Sequence, residues 1–107
     1  MAQNFRRYIA RNVGTSAVTL VTATTYNTVI GIKIANTTAS TQALVDVYIT
    51  TGGNNYYLGK TIPVPAGSSL ELIEGKVVIQ SGDVLKIVSD TATSLDVWVS
   101  TVDDISA

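Results

Sequence analysis

A chain of 107 residues that is 46% hydrophobic and 14% charged is sized for one domain and too apolar to be disordered. Its net charge of −1 gives no overall field for nucleic acid or an anionic membrane, and no run reaches the ~20 apolar residues of a membrane span. Because the chain lacks His and Cys, on which nucleophilic triads and most transition-metal sites depend, we expect no enzyme and no transition-metal site.

Alternation of apolar and polar residues, which is typical of a half-buried strand, recurs along the chain. The fifteen threonines and the abundant Val and Ile favour the same structure, since β-branched side chains fit a pleated sheet. The predicted strands are residues 5–11, 17–22, 29–35, 45–50, 56–62, 69–73, 77–80, 85–88 and 95–100. The pattern predicts an all-β fold, a single antiparallel β-sandwich of about eight short strands with jelly-roll or immunoglobulin-like topology.

Glycine, proline and asparagine mark the turns between these strands. Gly52-Gly53 predicts a hairpin connection, and Pro63 and Pro65 predict an edge or a crossing between sheets, because proline cannot donate a ladder hydrogen bond. In Pro65-Ala66-Gly67-Ser68, proline suits the second position of a type I turn and glycine the fourth. Asp83 follows Gly82 and has no second acid near it in sequence, so we expect it to direct the chain.

The predicted core consists of the aliphatic residues that alternate within these strands. They are Ile30, Ile32, Ile34, Val45, Val47, Ile49, Leu70, Leu72, Leu85, Ile87, Val97 and Val99. The acids Asp83, Asp90 and Asp96 are too scattered to suggest the clustered oxygen ligands of a calcium site, and are expected at the surface.

The N-terminal segment, residues 1–12, is predicted to be an arm or a first strand, with residues 13–107 forming the sandwich. Arg6, Arg7 and Arg11 supply three of the seven cations, so the segment could pair with acids on a neighbouring subunit, or be an exposed edge strand of its own domain. Arginines mixed with aromatics also occur on single-stranded nucleic acid, but no other basic segment joins them and nucleic acid is disfavoured as a partner. The candidate contact residues here are Arg6, Arg7, Tyr8 and Arg11.

Tyr56 and Tyr57 are two further candidates for protein contact, since tyrosine is frequent among interface hot spots. The alternative is that one tyrosine packs in the core and the other at its margin. Tyr48, Tyr56, Tyr57 and Trp98 could also form an aromatic platform, which would make the chain a carbohydrate-binding module.

Several segments together give the chain its resemblance to a known family. They are Val13-Gly14-Thr15-Ser16-Ala17, residues 30–38, residues 62–70, Gly82-Asp83 and Asp96-Val97-Trp98-Val99-Ser100. In this order they resemble a family of small virion proteins of tailed phages that infect marine bacteria and cyanobacteria. The resemblance implies a structural component of the particle, with no cofactor, assembled in the cytoplasm of the bacterial host.

With low charge and high β content, the resemblance favours a capsid decoration (cement) protein. We expect a homo-oligomer, with a trimer favoured, that contacts the major capsid protein and no membrane. The alternative within the particle is a neck or tail adaptor, or a fibre-attachment component, with neck or tail proteins as its partners.

Overall fold

The computed structural model describes residues 4–23, 26–72 and 76–103, which form nine β-strands and contain no helix that could cross a membrane. The strands are β1 (Asn4–Val13), β2 (Val18–Thr22), β3 (Tyr26–Asn36), β4 (Ala43–Thr51), β5 (Asn54–Val64), β6 (Ser69–Glu71), β7 (Val77–Gln80), β8 (Val84–Ser89) and β9 (Leu95–Asp103). The all-β prediction is confirmed. Of the predicted strand 69–73, Ile73 lies outside the described residues, as does Glu74-Gly75.

Two antiparallel sheets form the sandwich. The five-stranded sheet has the order β1-β9-β3, with β6 and β7 pairing with successive parts of the far edge of β3, and the four-stranded sheet has the order β2-β8-β4-β5. If β6 and β7 count as one interrupted strand, the first strand pairs with the last, the second with the next to last, and so on inwards to the β4–β5 hairpin. A long hairpin rolled up in this way is a jelly roll, so the pairing favours that topology over the immunoglobulin-like one.

The core lies between the sheets and contains most of the predicted residues. These are fully or almost fully enclosed: Ile32, Ile34, Val45, Val47, Leu85, Ile87, Val97 and Val99. Ile49, Leu70 and Leu72 are half-buried and pack against that cluster. Val13, Val64 and Ile79 are also buried, although the alternation did not single them out.

Ile30 is the exception, and its prediction as a core residue was wrong. The register between β3 and β9 shifts between Val29 and Gly31, so an extra residue stands in β3 at this point. Such a bulge changes the phase of the strand. Val29 therefore faces the core, whereas the side chain of Ile30 is 43% exposed.

Backbone geometry explains the turns. Gly52 and Gly53 both have positive φ and join the paired residues Thr51 and Asn54, which is the two-residue type I′ hairpin turn. The Pro65 turn lies one residue later than predicted. The amide of Ser68 donates to the carbonyl of Pro65 (3.2 Å), which puts Gly67 third, with φ of +70°, as a type II turn requires.

Asp83 directs the chain, as predicted. Its backbone amide donates to the carbonyl of Gln80 (2.9 Å), and its Oδ2 accepts the amide of Gln80 (3.0 Å). Gly82, between them, has φ of +97°. The acid therefore closes the turn between β7 and β8 from both sides.

The bulge in β3 can be tested with a matched pair of substitutions. We expect Ile32→Ala to lower the free energy of unfolding by about 2 to 5 kcal/mol, because it leaves a cavity in the core. Ile30→Ala should lower it by less than about 1 kcal/mol, because that side chain already contacts water. Urea denaturation of both variants measures the difference, and equal losses would show that Ile30 packs in the core.

Candidate functional site

The candidate site is the face of the five-stranded sheet that points away from the core. In β9, Leu95, Val97 and Val99 are buried, so the residues between them face outwards. Residues directly opposite each other on paired strands lie on the same face. Two rows of side chains consequently cross this face. One is Ile9, Trp98, Lys33 and Glu71, and the other is Phe5, Val102, Thr28 and Val78.

Large apolar side chains are concentrated on this outer face. The exposed ones are Phe5, Ile9, Tyr26, Ile30, Val78 and Trp98, of which Phe5 is 73% exposed and Trp98 51%. Large apolar side chains grouped on one exposed face often mark a binding site. The geometry therefore suits a contact with another macromolecule.

A shallow hollow of about 340 Å³ lies at one end of the face. It is lined mostly by apolar atoms, from Ile9, Ala10, Ala35, Val97 and Trp98 and from the charged residues Arg11, Lys33 and Asp96. Such a hollow could accept one apolar side chain of a partner.

Arg7 lies over the indole of Trp98, with its guanidinium carbon 5.3 Å from the ring centroid. A cation over an aromatic face is attracted to the ring quadrupole. The contact holds the arginine across the outer face instead of leaving it free in solvent. Arg7 and Arg11, both predicted contact residues, thus lie on the same face as Trp98.

Arg6 and Tyr8 contact an acid of their own chain. The hydroxyl of Tyr8 donates to Oδ2 of Asp103 (2.7 Å), and Nε of Arg6 lies 3.8 Å from the same oxygen. Asp103 is almost fully buried at the end of β9, while the side chain of Arg6 remains 60% exposed. These contacts join β1 to β9, so part of the predicted contact set serves the fold of this chain.

The environment of Asp103 sets its protonation. Burial raises the pKa of this carboxyl, but the hydrogen bond from Tyr8, the neighbouring Thr101 and Asn27 side chains and the positive charge of Arg6 together hold the pKa below its ordinary value. The carboxylate is therefore ionised at neutral pH.

Tyr56 and Tyr57 lie on the opposite side of the sandwich, in β5 of the four-stranded sheet. The rings of Tyr57 and the buried Tyr48 are 5.2 Å apart, and Nζ of Lys60 lies 4.5 Å from the centroid of the Tyr57 ring. Both Tyr56 and Tyr57 are exposed, so their role in contacts stays a prediction. Trp98 is on the other sheet, so the predicted platform of four aromatics is not formed.

Carboxylates of the described residues hold backbone amides at irregular points. Asn12 and Thr61 have positive φ where register shifts interrupt β1 and β5. The amide of Asn12 donates to Oδ1 of Asp96 (3.1 Å), and that of Thr61 to Oδ1 of Asp46 (2.7 Å). These acids thereby satisfy amides at the bulges, and the described residues include no group of three potential metal ligands.

The outer face was only partly visible in the sequence. Trp98 alternates with Val97 and Val99, which are predicted as core residues, so the pattern places it on the outward face but does not show which residues of other strands lie beside it. The hollow depends on pairing between β1 and β9, which are far apart in sequence. Short-range patterns contain no signal for that pairing.

No protein-family model matches this chain, and no curated protein matches it. The chain is similar to a crystal structure of a pentameric capsid protein isolated from metagenomic phage sequences, with 21% identity and a TM-score of 0.48 over 92% of this chain and 59% of that chain. A second crystal structure with the same description, solved by iodide phasing, gives 20% identity and a TM-score of 0.45 over 92% and 60%. The chain spans about three fifths of the length of these proteins. So loose an overlap carries no argument about function.

The contact between Asp103 and β1 predicts how stability depends on pH. A carboxyl whose pKa is lower in the folded state stabilises the protein above its unfolded pKa and loses that effect as pH falls through the folded pKa. We expect the free energy of unfolding to decrease as the pH is lowered beneath about 4. The decrease should be less steep in Asp103→Asn.

Urea denaturation at a series of pH values measures both slopes. Asp90, whose pKa is lowered by the hydrogen bond from the backbone of Leu44 and by that from Thr91, is present in both proteins and cancels from the comparison. Parallel slopes in the two proteins would contradict the role of Asp103.

Proposed function

We propose that this chain is a structural subunit of a phage particle and acts through protein contacts. The observation that carries the proposal is the outer face of the five-stranded sheet, where Phe5, Ile9, Val78 and Trp98 are exposed together. An apolar face of this kind is costly to leave in water, and a partner that covers it recovers the hydrophobic contribution. The resemblance of the sequence to small virion proteins of tailed phages supports the same assignment.

Within the particle, we infer a role as a capsid decoration protein that stabilises the shell. In this role the chain forms a homo-oligomer, with a trimer favoured. The oligomer binds the major capsid protein, and the particle is assembled in the bacterial host. Many copies arranged by the symmetry of a shell add their contacts, so each contact can be modest. A specific interface would still bury on the order of 1,200 to 2,000 Å² in total.

The neck or tail role is the alternative within the particle, and the same outer face would serve it. A carbohydrate-binding role has less support from the geometry. The tyrosines and Trp98 lie on different sheets, and Arg7 covers one side of the indole. A sugar that stacked on that side of the ring would have to displace the arginine.

Copy number separates these roles. We expect quantitative mass spectrometry of purified virions to find this chain in numbers comparable with the major capsid protein, because a decoration protein repeats with the shell. A copy number far below that of the shell protein would indicate the neck or tail. Absence of the chain from virions would contradict a structural role.

The outer face can be tested by substitution. We expect Trp98→Ala to weaken association with particles by roughly tenfold or more, because a buried aromatic anchor often dominates an interface. Tyr56→Ala removes an exposed aromatic from the other sheet, so it tests the predicted contact role of that tyrosine, and it should bind normally if the outer face alone makes the contact. Co-sedimentation with particles measures both variants, and thermal denaturation checks that each is folded. A loss in Tyr56→Ala without one in Trp98→Ala would assign contact to the four-stranded sheet.

A further inference from the structure

The edges of the two sheets differ in how well they are protected against further strand pairing. Among the described residues, the β5 edge contains Pro63, Lys60 and two register shifts, and the β2 edge has five residues and one shift. The far edge of the five-stranded sheet is divided between the short strands β6 and β7. Prolines, bulges and short strands all prevent an edge from accepting another strand.

Over its first seven residues β1 has no proline and no register shift, and its only edge protection there is the charge of Arg6 and Arg7, which an acidic partner strand would neutralise. Asn4 to Ala10 pair with β9 in continuous register on one side, and no described strand pairs on the other. A regular edge strand of this length offers a row of backbone donors and acceptors to an extended chain. The edge is therefore suited to β-strand addition.

The side chains of β1 define the chemistry of a strand that would lie beside it. Along the outer face, apolar and cationic residues alternate as Phe5, Arg7, Ile9 and Arg11, the last two at the hollow. Arg7 is held over Trp98, so part of the entropy cost of fixing its side chain is already met. A complementary strand would place acids and apolar residues in the same alternation.

Pairing of β1 with β1 of a second copy is disfavoured by charge. The strand Asn4–Val13 contains Arg6, Arg7 and Arg11 and no acid. Two copies in register would bring these arginines together, and like charges on neighbouring strands are destabilising. The contact of Arg6 with Asp103 neutralises only one of them.

We propose that β1 binds an extended acidic segment of another protein as an added strand of the five-stranded sheet. Acidic side chains of that segment lie against Arg7 and Arg11, and apolar side chains lie against Phe5 and Ile9. This inference rests on the proposed function only in that the segment belongs to a neighbouring protein of the particle. The binding can be measured on the isolated chain.

The probe is the synthetic peptide Val-Thr-Glu-Thr-Val-Thr-Glu, titrated into the isotopically labelled protein and followed by amide NMR shifts. We expect saturable binding, with the shifts concentrated in β1. Replacing each Glu of the peptide by Gln should weaken binding by about fivefold, and replacing each by Lys should weaken it further, because opposite charges on adjacent strands attract.

Two N-methylated forms of the probe test the strand geometry. Alternate residues of an added strand point their amides towards β1, so methylating that set should abolish binding and methylating the other set should not. In the protein, Arg7→Gln combined with Arg11→Gln should weaken binding by about fivefold. Lys86→Gln in β8 of the four-stranded sheet is the matched control and should bind as the wild type does.

Several results would overturn the inference. They are the absence of saturable binding to the Glu probe, equal binding of the Lys probe, retention of binding by both N-methylated forms, or a dimer formed through β1 in sedimentation experiments. Binding to the probe by a chain that virions lack would leave this inference standing and reject the proposed function. A chain abundant in virions that does not bind the probe would do the reverse.

Discussion

The alternation of side chains along β9 is the constraint on which the rest of the molecule depends. β9 lies between β1 and β3, so its phase sets which residues of both neighbours face the core. Because Val97 and Val99 must be buried, Trp98 must be exposed, and Ile9 and Lys33 lie beside it in register. A slip of one residue would move every side chain to the other face. The core and the outer face are thus two results of one pairing.

Local patterns in the sequence were sufficient for the strands, the fold class and most of the core. Alternation identifies a strand because it is a pattern among residues that are adjacent in sequence. It failed at Ile30, where the bulge depends on how β3 pairs with β9. It also could not show that Arg6 and Tyr8 contact Asp103, since that requires strands about 95 residues apart to meet. These two misses are features of long-range pairing, whereas the turn at Pro65, which lies one residue later than predicted, is a local one.

Six of the charged residues have one of two roles. Asp46, Asp83, Asp90 and Asp96 each accept a hydrogen bond from a backbone amide, at bulges, turns or strand ends. These acids compensate for irregular backbone, whose amides would otherwise lack partners. Arg7 lies on the outer face, and Arg11 is among the residues that line its hollow. These four acids therefore stabilise the fold, whereas the two arginines are placed to contact a partner.

The rolled pairing of the strands has a consequence for how the chain reaches its fold. Among the described strands, the β4–β5 hairpin is the one pair joined by a tight turn, whereas β2 with β8 and β1 with β9 close progressively longer loops. Closing a longer loop costs more conformational entropy before its contacts can form. We therefore expect strand pairing to begin at that hairpin, to proceed to the outer strands and to end with the pairing of β1. A nascent chain still lacking β9 would leave β1 unpaired on both edges. Synthesis of β9 is therefore the step after which sheet closure can occur, and an interrupted chain would be prone to aggregate.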